Sequence, residues 1–87
     1  MRIDKYLKVT RLLKRRSIAK ELLDRGEFQV NGKVVKPAYN LKVGDIVILT
    51  LGKHIITIEV LKLLEHANKE ESQTMYKIIE DRIRNEY

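Results

Sequence analysis

The chain has 87 residues, 18 Lys/Arg against 12 Asp/Glu for a net charge of +6, and no cysteine. A chain of this length buries only about 60–65% of the surface its unfolded form exposes, which leaves little room for a deep catalytic cleft beside a core. The lack of cysteine excludes disulfides and thiolate metal sites and fits a reducing compartment. No apolar run approaches the ~18–20 residues that a bilayer span needs, and Met1 leads into charged residues with no apolar leader, so the expected setting is the cytoplasm, away from membranes.

The charge is segregated along the chain. Residues 1–25 hold nine Lys/Arg and three Asp/Glu, residues 26–62 five and three, and residues 63–87 four and six. A solubilising surface needs only mixed signs. Positive charge gathered at one end raises the local concentration of a polyanion and speeds its encounter.

In chain order, Arg2 and Ile3 read as a lead-in and Asp4 as the N-cap of a helix over residues 5–14. Tyr6, Val9 and Leu13 recur at helical spacing with Leu7 and Leu12 beside them. Lys5, Lys8, Arg11 and Arg15 recur along another side, so one helix carries an apolar and a cationic stripe. Lys14, Arg15 and Arg16 lie at a bend. Ser17 is a natural N-cap for a second helix over residues 18–25, with Ile18, Ala19, Leu22 and Leu23 apolar, Lys20 and Arg25 basic, and Gly26 as its left-handed stop. Helices this short are marginal alone and must pack on something.

Phe28, Gln29 and Val30 alternate as a half-buried strand does. Asn31-Gly32 is the strongest short hairpin signal, because both central positions of a type I′ turn need positive φ. Residues 33–36 read as the return strand, with Val34 or Val35 inward and Pro37 at its end. Val43-Gly44-Asp45 reads as a turn, and residues 46–51 and 54–61 as two further strands joined at Gly52-Lys53. In the second of these, Ile56, Ile58 and Val60 share one face. Met75, Ile78, Ile79 and Ile83 repeat at helical spacing, so residues 69–84 read as a C-terminal helix. The expected fold class is α+β: two short N-terminal helices packed on a small, mostly antiparallel sheet, then a C-terminal helix. The domain division is 1–62 for the binding domain and 63–87 for a helical extension.

Catalytic chemistry finds little support. His54 and His66 are isolated from any nucleophile motif, the acids are scattered relative to metal-ligand spacing, and Glu70-Glu71 reads as the acidic first turn of a helix. Gly32, Gly44 and Gly52 are single turn glycines with no phosphate-cradling loop among them. No cofactor and no metal are expected. Polyanion binding fits better, since Lys and Arg at helical spacing can reach successive phosphates and Arg can clamp one with two parallel bonds. Ser17 has two readings, a cap worth about 1 kcal/mol and a phosphate ligand, and both stay open. With few aromatic residues to stack bases and no evident major-groove helix, a shape-and-phosphate reader of structured RNA fits best. The candidate contacts are Arg2, Lys5, Lys8, Arg11, Lys14, Arg15, Arg16, Ser17 and Lys20, with Asp4 orienting its neighbours.

One ordered set of motifs goes further: Arg2-Ile3-Asp4-Lys5-Tyr6-Leu7, Arg16-Ser17-Ile18-Ala19-Lys20, Gly26-x-x-x-Val30-Asn31-Gly32, Lys36-Pro37 and Val43-Gly44-Asp45. Over residues 1–51 it resembles the RNA-binding module named for small-subunit ribosomal protein four. That family packs two helices on a small sheet and holds structured ribosomal or transfer RNA on their basic faces. Many such modules are appended to tRNA synthetases or pseudouridine synthases, but this chain has no length left for an enzyme. The Arg16-Ser17 order departs from the common Ser-Arg of the module and matches its stand-alone heat-shock-type branch, including the short relatives that serve ribosome quality control.

The resemblance implies binding to the free large ribosomal subunit, contact with its ribosomal RNA and with peptidyl-tRNA, and support of template-free alanine addition to a stalled chain. Other quality-control factors on the same subunit and a monomeric state are expected with it. The alternative is an RNA-targeting accessory subunit of a separate RNA-modifying enzyme.

Overall fold

The computed structural model describes residues 1–13, 22, 25–26, 28–51 and 54–83. Helix α1 (Ile3–Val9) comes first, followed by strands β1 (Phe28–Val30), β2 (Lys33–Val34), β3 (Ile46–Leu51) and β4 (His54–Val60). Helix α2 (Lys69–Gln73) and strand β5 (Tyr76–Ile83) complete the order. The strands form one sheet in the order β2-β1-β3-β4-β5, with every neighbouring pair antiparallel. The α+β class with a mostly antiparallel sheet is as expected.

Register explains the core. Phe28 lies opposite Leu49, Val30 opposite Val47, and Val47 opposite Ile58, so the apolar members of three strands share a face. All five of these side chains are buried, as are Val60 and the Ile3, Tyr6 and Leu7 side chains of α1 that pack on them. Val35 turns inward and Val34 outward. Asn31 and Gly32 have φ of 52° and 84°, the paired positive values of the hairpin turn. Gly26 is left-handed at φ 76°, and an added Cβ would stand 3.2 Å from the Val34 Cγ1.

Three expectations are corrected. First, Asp4 is not the cap of α1. The helix starts at Ile3, and its first free N–H groups find backbone acceptors instead: Ile3 N donates to Tyr39 O at 2.8 Å and Asp4 N to Pro37 O at 3.4 Å. The strap of residues 37–41, pinned by Leu41 N to Met1 O at 2.7 Å, supplies carbonyls that a side-chain cap would otherwise replace. Ile3, read as lead-in, is therefore helical and buried.

Second, α1 ends at Val9 rather than at residue 14. The Thr10 hydroxyl donates back to the Tyr6 carbonyl at 2.8 Å, and Arg11 turns left-handed at φ 62°. The chain doubles back until Leu13 N reaches Leu7 O at 3.1 Å. Leu12 and Leu13 still pack against the core, but from a turn.

Third, the C-terminal helix is one short helix and a strand. It begins as expected, with a capping box between Asn68 and Glu71, and stops at Thr74, whose hydroxyl bonds Glu71 O at 2.7 Å. Residues 76–83 then pair with β4, which would otherwise leave a row of backbone donors and acceptors unpaired. The β-branched Ile78, Ile79 and Ile83 suit a strand, and all three are exposed, so the apolar stripe that suggested a helix buries only Met75. The second predicted helix falls almost wholly outside the described residues; Leu22, within it, packs against the core.

Candidate nucleic-acid interface

The site is built on the outer side of α1. Ile3, Tyr6 and Leu7 point into the core, so Lys8 stands exposed, Lys5 and Val9 are half-buried beside it, and Arg11 is exposed one turn further on. Facing them is the segment of residues 65–67. It is held there through one carbonyl: Met75 O accepts from the Tyr6 hydroxyl at 2.8 Å, from Leu61 N at 2.8 Å and from Lys62 N at 3.2 Å. Leu63, Leu64 and Ala67 pack against the same core as α1. The result is an open groove of about 670 Å³ with Lys5, Lys8, Val9 and Arg11 on one wall and Glu65, His66 and Ala67 on the other.

Tyr6 anchors this arrangement as a neutral phenol. Burial, and after it the nearby Tyr76, pushes its pKa above the ordinary tyrosine value. Across the groove, the Lys5 ammonium bonds the Glu65 carboxylate. That hydrogen bond, with the Lys5 charge behind it, holds Glu65 below the usual carboxylate range. Lys8 and Arg11 pair with no carboxylate among the described residues.

Arg2 lies outside the groove lining, at the start of α1. Its guanidinium donates to Asp4 Oδ2 at 3.0 Å, while Asp4 Oδ1 accepts from Lys5 N at 2.8 Å. Asp4 is buried and Arg2 half exposed, so a fixed carboxylate orients a guanidinium that faces solvent.

The structure thus brings Lys5, Lys8 and Arg11 together and sets Arg2 apart at the N-cap of α1. Lys14, Arg15, Arg16, Ser17 and Lys20 lie outside the described residues. Glu65 and His66 were not among the contacts expected from the sequence, where His66 reads only as an isolated histidine. No local pattern marks them, because their place follows from a contact 60 residues away. Chemically, a row of cations along an open groove suits a phosphate backbone. Among the described residues, no group of acids and histidines could hold a metal ion.

Comparison with known proteins fits this geometry. Residues 1–47, from α1 through the hairpin to the start of β3, match the S4 domain. The chain is 47% identical to the RQC P-site tRNA stabilizing factor of Listeria monocytogenes, over 93% of this chain and 88% of that one. It is 41% identical to the factor of the same name from Bacillus subtilis, over 93% of this chain and 94% of that one. The chain belongs to the S4-domain family, among the RQC P-site tRNA stabilizing factors. Among solved structures, this S4 chain resembles Heat Shock Protein 15 of Vibrio cholerae, described as trimeric, with a TM-score of 0.83 and 29% identity over 90% of this chain and 80% of that one. The resemblance to the stand-alone heat-shock-type branch is borne out. The S4 domain is an RNA-binding module.

Proposed function

We propose that the chain is a non-enzymatic factor that binds the free large ribosomal subunit through its ribosomal RNA and steadies peptidyl-tRNA in the P site, so that alanine can be added to a stalled chain. It would work in the cytoplasm, as a monomer, beside other quality-control factors on the same particle. The observation that carries this reading is the row of Lys5, Lys8 and Arg11 along an open groove, in a chain that is similar over most of its length to factors named for P-site tRNA. Arg2, Lys14, Arg15, Arg16, Ser17 and Lys20 are proposed to extend the contact beyond the groove.

Co-sedimentation with purified large subunits carrying peptidyl-tRNA tests it. Lys8→Ala with Arg11→Ala, and separately Arg2→Ala with Arg16→Ala, should each release the protein from the subunit at physiological salt. Both variants binding as the parent does would sink the reading. Recovery from cells with an RNA-modifying enzyme and no ribosomal particle would favour the accessory-subunit alternative.

A further inference from the structure

The groove has one feature that RNA binding alone does not explain: a carboxylate on one wall bonds a lysine on the other. Phosphate and Glu65 compete for the same ammonium, since Lys5 Nζ bonds the Glu65 Oε2 in the free protein. The two acids near this face differ in how firmly they are held. The Asp4 side chain is 3% exposed and is fixed between Arg2 and the Lys5 N–H. The Glu65 side chain is 67% exposed, and Lys5 is its one partner among the described residues. Asp4 can only orient; Glu65 can leave. An exposed ion pair of this kind is weakly held in water, so a phosphate flanked by Lys8 and Arg11 can replace it.

We infer that Glu65 holds the place of an RNA phosphate at Lys5, and that RNA binding at this groove displaces it. The inference rests on the proposed RNA interface and deepens it. It assigns Lys5 as a phosphate subsite that is capped in the free protein, and Glu65 as the residue that lowers the groove's attraction for polyanions at large. Among the described residues, a polyanion then meets Lys8 and Arg11 on this wall without a carboxylate partner, and must compete with Glu65 to reach Lys5.

The test is binding of labelled tRNA and of large ribosomal subunits to Glu65→Gln, Lys5→Gln and the double variant across a salt series. Glu65→Gln should bind about 3- to 10-fold tighter at low salt. Its log–log salt slope should match the parent's, because the same phosphate meets Lys5 in both proteins once Glu65 has left. A slope steeper by ~0.7–0.9, the share of one added phosphate contact, would mean that Glu65 keeps Lys5 in the bound parent and would overturn the displacement. Lys5→Gln should bind more weakly than the parent, and the gain from Glu65→Gln should shrink in its background. Thermal unfolding of Glu65→Gln monitors the fold independently.

Equal or weaker binding by Glu65→Gln, with Lys8→Ala plus Arg11→Ala still impaired, overturns the displacement and leaves the interface standing. If the Lys8 and Arg11 variant also binds unchanged, the interface falls and the displacement with it.

Discussion

Arg11 has two tasks that a substitution can separate. Its backbone is left-handed at φ 62°, where an L side chain is disfavoured, and it turns the chain at the end of α1. Its side chain lines the groove. Arg11→Gly removes the strain at some cost in unfolded-chain entropy, so stability should stay level or rise by up to ~1 kcal/mol in chemical denaturation. The same variant should bind RNA more weakly. A fall in stability would mean that the side chain, not the backbone, holds the turn.

Tyr6 offers a pH test at the same scale. Its folded pKa is raised, so the unfolded state loses this proton first as pH rises. Its contribution to stability is full below the unfolded value near ~10 and is lost above it. Tyr6→Phe should cost about 1 kcal/mol near neutrality, because Met75 O keeps two backbone donors when the hydroxyl is gone. The variant should also flatten the fall of stability above pH ~10, as followed by denaturation at a series of pH values.

Among the elements, the β1–β2 hairpin was legible in outline and richer in fact. Asn31-Gly32 announced the turn, because few residue pairs accept two positive φ values in succession. The sequence did not announce that Asn31 also ties the hairpin to the start of β3. Its N–H donates to Ile46 O at 2.8 Å, its Oδ1 accepts from Ile46 N at 3.0 Å, and its Nδ2 donates to Asp45 Oδ1 at 3.1 Å. Asp45 Oδ2 in turn accepts from Lys42 N at 2.9 Å. The Asn-Gly and Gly-Asp turns are therefore one hydrogen-bonded unit, and Asn31→Ala should cost about 1–3 kcal/mol by urea denaturation. Gly32→Val meets no steric neighbour, yet at φ 84° it should destabilise by about 1–2 kcal/mol and weaken RNA binding without removing a charge.

β5 shows the opposite case. A spacing of three and four among apolar residues also fits a strand that carries a bulge. Ile58 pairs with Ile78 and Thr57 with Glu80, which leaves Ile79 as the inserted residue. That insertion is what imitates helical periodicity.

Taken whole, the molecule is elongated, 41 × 23 × 22 Å, and its described strands form one antiparallel sheet. Lys5, Lys8 and Arg11 line one groove, whereas on β5 Glu80 pairs with Arg82 and Asp81 bonds His54. Paired opposite charge attracts little at a distance, and along the sequence the net positive charge gathers in residues 1–25. Binding to large subunits should therefore weaken steeply with salt, and each lysine or arginine lost from the interface should flatten the log–log slope by ~0.7–0.9. Arg82→Gln should leave that slope unchanged, because it lies outside the proposed contact.

The sequence by itself determined the α+β class, the hairpin, the strands β3 and β4, and the cationic side that Lys5 and Lys8 give the first helix. Each rests on local rules: side-chain period, turn geometry and charge order. Tertiary structure decided where α1 begins and ends, because backbone carbonyls of the 37–41 strap replace the expected Asp4 cap. It turned the last segment into a strand, because the open edge of β4 needed hydrogen-bond partners more than a short helix needed length. It also placed Glu65 against Lys5, a pairing set only when Met75 O fastens α1 to the far end of the chain.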